Sequence, residues 1–290
     1  MIRAFDGSLA DAQGLLAVEQ ATFDDCPYSA EQVQAMLRDG HGRQRAWLAT
    51  NHSQTELLKE TRILGNIAGF VIAFPVSSLQ GVWWEIDLLA VHPSWQGQGL
   101  GRQLIRVSAA AGVGIAGQAR AVVAADNARS MRAFTHAGFQ ASPSAGWLLL
   151  RQLEGYVPRF RPAPGVQIRQ AAGVADIAGW LAGPLTVTPD DPNLTLLLAE
   201  QGGRLAGYAE LIQVQTILYS GIWIESLAAP SRAAREALVY QALSRAIAAG
   251  LDEVSAIVPE QDQPLYHTLL SAGFRSLGAY RWLSARLPLP

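Results

Sequence analysis

The chain repeats itself. Ala68-Gly69-Phe70 and Ala206-Gly207-Tyr208 align at an offset of 138 positions (206 minus 68). At the same offset Ile86-Asp87-Leu88-Leu89-Ala90 lies over Ile224-Glu225-Ser226-Leu227-Ala228. Near the start of each copy, Ala10-Asp11 and Ala175-Asp176 open an apolar helical pattern, 165 positions apart (175 minus 10). Late in each, Ala137-Gly138-Phe139 is echoed by Ala272-Gly273-Phe274. A pattern written twice implies one supersecondary unit built twice, and 290 residues suffice for two cores. The larger early offset makes the first copy longer, in part through the polar run Asn51 to Thr61, a surface connection. Pro158 to Gly165, rich in proline and arginine, reads as a linker. The expected domains are therefore 1–157 and 166–290.

Periodicity places strands at 1–5, 45–50, 64–76, 82–91, 119–124 and 146–153, and helices at 9–23, 29–38, 98–115 and 127–137. Trp147-Leu148-Leu149-Leu150 supplies the apolar stretch of the last strand. The class is α/β.

Between the strand at 82–91 and the helix that follows it, three glycines fall within five residues: Gln96-Gly97-Gln98-Gly99-Leu100-Gly101-Arg102. Glycine leaves the main chain open to a ligand, and the first amides of a helix have no intrahelical partners. With the helix dipole they make an anion site suited to a diphosphate. A Walker-type loop needs Gly-Lys-Ser/Thr, and Gly101 is followed by Arg102-Gln103. A dinucleotide fingerprint needs a third glycine where Arg102 or Leu104 stands, and the nearest downstream acid is Asp126. The remaining pattern, Q/R-x-x-G-x-G/A, is met by Gln96, Gly99 and Gly101. In this strand-loop-helix setting the run resembles the acetyl-CoA motif of the GNAT superfamily, the CoA-dependent N-acetyltransferases. A second segment strengthens the resemblance. Asn127, a helix-cap signal, is followed at the superfamily's spacing by Gly138-Phe139.

The resemblance implies a largely antiparallel mixed sheet flanked by helices in each of two tandem GNAT-like domains. It also implies acetyl-CoA as co-substrate and a small-molecule or peptide amine as acceptor. It assigns the cofactor contacts to Leu89, Ala90, Val91, Gln96, Gly97, Gln98, Gly99, Leu100, Gly101, Arg102, Asn127, Ser130 and Phe134. The backbone amide of Leu89 would meet the thioester carbonyl. Strand alternation puts Glu85, Asp87, Leu89 and Val91 on one face. Glu85, directly after Trp83-Trp84 and so partly desolvated, is the candidate base, with Asp87 the second candidate. Seven residues after Asn127 the superfamily often places a tyrosine that protonates the CoA thiolate; here Phe134 stands there, leaving Tyr28, Ser130 or water. That departure keeps open a second class of function, a non-catalytic acetyl-CoA-binding sensor or scaffold. Glu19, Asp24, Asp25, Tyr28 and Ser29 read as an acidic rim favouring a cationic acceptor, or as caps and solvated surface.

The second copy has lost the phosphate loop. Where the first has Val91 to Gly101, the second runs Pro230-Ser231-Arg232-Ala233-Ala234-Arg235-Glu236, and Glu236 would repel a diphosphate. Asn127 is answered by Asp262, with Pro264 close behind. This copy is expected to be a degenerate repeat kept for packing or for shaping the substrate cleft. A formal net charge of −2 gives no reason to expect nucleic acid. No apolar run reaches the roughly 18 residues of a membrane span. One cysteine, Cys26, makes no internal disulfide and fits the cytoplasm. Five scattered histidines offer no metal-ligand spacing.

Overall fold

The computed structural model describes residues 1–23, 26–38, 43–50, 67–157, 165–180 and 191–289. The polar run 51–61, the linker residues 158–164 and the acidic pair Asp24 and Asp25 lie outside the described residues.

The first copy runs β1 (Ile2–Ala4), α1 (Leu9–Thr22), α2 (Ala30–Arg38), β2 (Arg45–Thr50), β3 (Ile67–Ser78) and β4 (Gly81–Val91). It continues through α3 (Leu100–Gly112), β5 (Gln118–Ala124), α4 (Ala128–Ala137), β6 (Gln140–Ala141) and β7 (Gly146–Gln152). The second copy has β8 (Val166–Gln170), a 3-10 helix (Val174–Trp180), β9 (Leu194–Gln201), β10 (Arg204–Gln215) and β11 (Ser220–Ala228). It ends with α5 (Arg232–Ala248), β12 (Glu253–Pro259), α6 (Gln263–Ser271) and β13 (Arg275–Arg286). The apolar pattern opening at Ala175-Asp176 forms the 3-10 helix where the first copy has the longer α1.

All described strands join one sheet, ordered β1-β2-β3-β4-β5-β13-β7-β12-β11-β10-β9-β8, with β6 beside β13. Pairing is antiparallel except for β4 with β5 and β11 with β12. The strand expected to close the first copy, 146–153, does not pair with that copy's other strands. β7 pairs with β12 of the second copy, and β13 of the second copy pairs with β5 of the first. The terminal strands are thus exchanged. An open sheet edge accepts any strand of matching pattern, and the pattern does not say which copy supplies it.

The repeat is visible atom by atom. Arg3 is ion-paired to Asp11 at 2.5 Å, and Arg169 to Asp176 at 3.0 Å. The amide of Asp6 donates to Asp11 and that of Ala172 to Asp176. A Cβ on Gly69 would sit 2.7 Å from the carbonyl oxygen of Ala90, and one on Gly207 2.8 Å from that of Ala228. Only glycine fits either position. Each copy's β-hairpin also carries a bulge at the same place: β3–β4 shifts register between Ile72 and Ala73, β10–β11 between Glu210 and Leu211.

The copies clasp each other by hairpin turns. Ile217, in the β10–β11 turn, is fully buried with Leu15, Val33 and Phe70, under α1 and α2. Leu79, in the β3–β4 turn, is buried with Ile177, Leu198 and Tyr208 of the second copy. Burying such a side chain contributes about 1.5–3 kcal/mol, so the turns are anchors and not loose tips. Cys26 donates its Sγ–H to Ile217 O at 3.0 Å, and burial pushes its thiol pKa up. No helix among the described residues is long and apolar enough to cross a membrane.

Candidate active site

The site is set by β4, whose bulge singles out Asp87. Ile86 pairs with Ala73 and Leu88 with Ile72, so Asp87 is the extra residue, opposite no partner. A bulge reverses the alternation of side chains. Before it, Trp84 and Ile86 face α3 and α4; after it, Leu88 and Ala90 face α1 and α2. Leu89 and Val91 therefore turn toward α3, where both approach Gly101. The expectation that Glu85, Asp87, Leu89 and Val91 share one face fails for this reason: Glu85 and Leu89 lie on opposite faces.

Next to it, β4 and β5 pair only from Trp83 to Glu85 and from Gln118 to Arg120. Past Glu85 the two strands diverge, and among the described residues no strand pairs with the edge of β4 that carries Leu89, Ala90 and Val91 on the β5 side. Leu89 and Val91 on this edge adjoin Gly101 at the start of α3. There Gly99 is the N-cap, with φ +78° and no side-chain cap bond, so the first-turn amides are not capped by a side chain. Gly97 has φ +80°, a left-handed conformation that favours glycine. Gly97, Gln98, Gly99 and Arg102 are exposed. Gly101 has room for a methyl group, its nearest neighbour to a Cβ being Ala133 at 3.8 Å. Gln96 braces the loop, donating from Nε2 to Val91 O at 2.9 Å and accepting from Arg129 of α4. Asn127 caps α4, accepting from the Ser130 amide at 3.0 Å. Phe134 is buried edge-on against Phe139, with ring centroids 5.1 Å apart.

A cavity of about 410 Å³ opens from this gap, within the range of small-molecule sites. Its lining includes Asp87, Leu89, Asn127, Ser130 and Phe134, and also Ile212, Val214, Tyr219 and Trp223 of the second copy. Tyr28 is not among the lining residues and packs instead with the α1–α2 cluster. Glu19 is fully buried, and its Oε1 accepts from the Cys26 amide at 3.0 Å, so it belongs to no acidic rim.

Two carboxylates on β4 have opposite surroundings. Glu85 is buried, and its Oε2 accepts from Arg120 Nε at 2.5 Å. Arg120 reaches across the copies with its other nitrogens, donating from Nη1 and Nη2 to Glu225 at 2.5 and 3.1 Å. Trp223 Nε1 also donates to Glu225, and Trp282 lies 4.5 Å from the Arg120 guanidinium carbon. Burial lowers the Arg120 pKa, but Glu85 and Glu225 together hold it above its ordinary value. Burial raises the Glu85 pKa while Arg120 opposes the rise. Asp87 has no such partner. Burial, reinforced by the charge of Glu85, pushes its pKa from 3.8 to about 7. Glu225 is the residue equivalent to Asp87 on the second copy's bulge, and in the sheet register Ser255 stands where Arg120 stands in the first. One bulge carboxylate is thus neutralised and the other left free.

Residues 18–139 match the family model of the acetyltransferase (GNAT) family. The match covers most of the first copy, which has the GNAT fold. No curated protein matches the chain. Among solved structures, the chain is similar to a GCN5-related N-acetyltransferase from Sphaerobacter thermophilus, at 21% identity and TM-score 0.58, covering 99% of this chain and 95% of that one. It is also similar to a tandem GNAT protein from the clavulanic acid biosynthesis pathway, at 13% identity and TM-score 0.56, covering 99% and 98%. At such identities the likeness is one of fold: two tandem GNAT-like units.

The second unit keeps the GNAT scaffold and not the loop. Three residues separate β11 from α5, against eight between β4 and α3 in the first copy. Ser231 caps it, its Oγ accepting from the Ala234 amide at 3.1 Å, which occupies a donor that Gly99 leaves uncapped in α3. Arg235 donates to Ala229 O and Pro230 O, and Arg232 pairs with Glu236 at 2.7 Å. Asp262 caps α6 as Asn127 caps α4. Among the described residues no group of three His, Cys, Asp or Glu side chains is placed to hold a metal ion.

The sequence reading missed Arg120, Tyr219 and Trp223, and it set Glu225 opposite Asp87 in the repeat without its pairing to Arg120. Arg120 carried a signal: it is the only charge in the apolar strand Gln118 to Ala124, and a buried arginine requires a carboxylate.

Proposed function

We propose that this chain moves an acetyl group from acetyl-CoA to a primary amine, with the chemistry in the first copy. The observation that carries the reading is one arrangement: the start of α3 is uncapped and exposed, β4 and β5 pair only up to Glu85, and the cavity beside them is lined by Leu89, Asn127 and the unpaired Asp87. These residues fit acetyl-CoA. Backbone amides from Gly97 to Gly101 with Arg102 would hold its diphosphate. The free edge of β4 at Leu89, Ala90 and Val91, with Asn127, Ser130 and Phe134 opposite, would line its pantetheine arm. Bound there, acetyl-CoA supplies an activated thioester acyl group.

Asp87 is the base in this reading, because Glu85 is committed to Arg120. A carboxylate with a pKa of about 7 is ionised for about half the time at neutral pH and accepts an ammonium proton with a smaller driving-force penalty than an ordinary carboxylate. Held on a bulge, it is fixed in position beside the gap, and positioning is most of what a thioester needs. The Leu89 amide, on the free edge, would donate to the reacting carbonyl. Phe134 supplies no proton; a thiol pKa of about 8.5 makes the departing thiolate tolerable without one. The setting is a reducing one, the cytoplasm, in keeping with the lone thiol of Cys26.

Phe134 also favours a second reading, a GNAT unit that binds acetyl-CoA without turnover. Calorimetry with acetyl-CoA, followed by thiol-release assays over a panel of amines, tests both. Transfer requires binding and amine-dependent thiol release. Binding without release under any amine overturns it in favour of the second reading, and no binding overturns both.

A further inference from the structure

Beyond the glycine loop, the cavity says which amine it takes. Its far wall is the buried cluster Phe74, Val76, Ile212 and Val214, where β3 of one copy meets β10 of the other. Phe23 and Tyr219 flank it. Hydroxyl-rich acceptors would leave hydroxyls unpaired against this wall, at about 1–3 kcal/mol each. The charged lining consists of Glu85, Arg120 and Asp87, with Glu225 behind Arg120. Among the described residues Arg120 is the sole basic side chain in the lining, and two carboxylates already pair with its single charge.

From this arrangement we infer that the cavity selects an apolar aryl- or alkyl-bearing primary amine that carries one positive charge and no carboxylate. The ammonium meets Asp87, the sole unpaired charge, and the hydrocarbon part lies on the wall built jointly by the two copies. An α-carboxylate would face Asp87 and Glu85 with no free cation to receive it. A polyamine would bury its second ammonium against Phe74 and Val214, where nothing pairs with it. The second copy is in this view the specificity wall of the first.

The inference rests on the transferase reading, and its test separates the two. Thiol release with acetyl-CoA is measured for 2-phenylethylamine, L-phenylalanine, spermidine and glucosamine, and the same four are titrated calorimetrically into the protein loaded with CoA. The expected result is a kcat/KM for 2-phenylethylamine at least about tenfold above each of the others, with the same order in binding. Equal or better turnover of phenylalanine, spermidine or glucosamine overturns the inference and leaves acetyl transfer standing. Selective binding of 2-phenylethylamine with no thiol release keeps the selection and overturns transfer. No release and no selective binding overturns both.

Discussion

Replacing Asp87 with Asn removes a charge and keeps a shape, which makes it a test of chemistry and stability at once. The carboxyl stands at about 7 instead of 3.8 because burial and the neighbouring Glu85 disfavour its charged form. At about 1.4 kcal/mol per tenfold, that displacement costs the folded protein about 4 kcal/mol once the group ionises. Residual solvent contact trims the expectation to about 2–3 kcal/mol. The sign follows from proton counting. Between pH 3.8 and about 7 the folded chain holds a proton that the unfolded chain has released, so the parent loses stability as pH rises through this window. Asp87→Asn has no such loss. Its advantage in urea or thermal unfolding should be absent below pH 4, grow up to about pH 7 and stay level above it. Activity should move the other way. Loss of a general base costs about 10²–10⁴ in kcat/KM at pH 8, and the parent-to-variant ratio should climb through pH 7 and level off. A variant within about threefold of the parent in activity, or a stability difference that ignores pH, would refute the assignment of Asp87.

Other outcomes follow from the same coordinates. Gly99→Glu puts a carboxylate at the start of α3 on a residue with φ +78°, so it should abolish the stabilisation of about 2–3 kcal/mol that a hundredfold excess of acetyl-CoA over Kd gives the parent; thermal shift with and without ligand reads this. Arg120→Met leaves Glu85 and Glu225 buried without their cation and should cost about 3–5 kcal/mol in urea unfolding at pH 8. That cost should shrink as the pH falls and Glu85, whose pKa burial already raises, takes up a proton. Ser231→Ala removes the α5 cap and should cost about 1 kcal/mol without altering acetyl-CoA affinity by calorimetry. Expression of 1–157 alone leaves β5 without β13 and β7 without β12, so the fragment should aggregate or show no cooperative unfolding, and adding 166–290 in trans should restore it.

Much of the fold was written locally. Asn127 before α4 is a cap signal, and each strand and helix expected in the first copy lies within a few residues of its periodic pattern. The glycine loop was legible because glycines with positive φ leave a mark in the sequence. Two features were not. The bulge at Asp87 inserts one residue into an otherwise regular alternation, and period-2 reasoning carried straight through it to group Glu85 with Leu89 on a single face. The exchange of β7 and β13 is a matter of pairing between distant segments with similar apolar patterns, which no local signal distinguishes. The same blindness hid the pairing of Glu225 with Arg120, 105 positions apart and meeting only because the copies clasp. What the repeat did reveal was the comparison that matters: Asp87 and Glu225 occupy one structural position, and only Glu225 is given an arginine.

A crystal structure of the chain with acetyl-CoA measures the central claim most directly. The account predicts one molecule per chain, its diphosphate on the amides of Gly97 to Gly101 and its acetyl group beside Asp87 in the gap between β4 and β5. Density at the start of α5 instead, or an acetyl group turned away from Asp87, would contradict it.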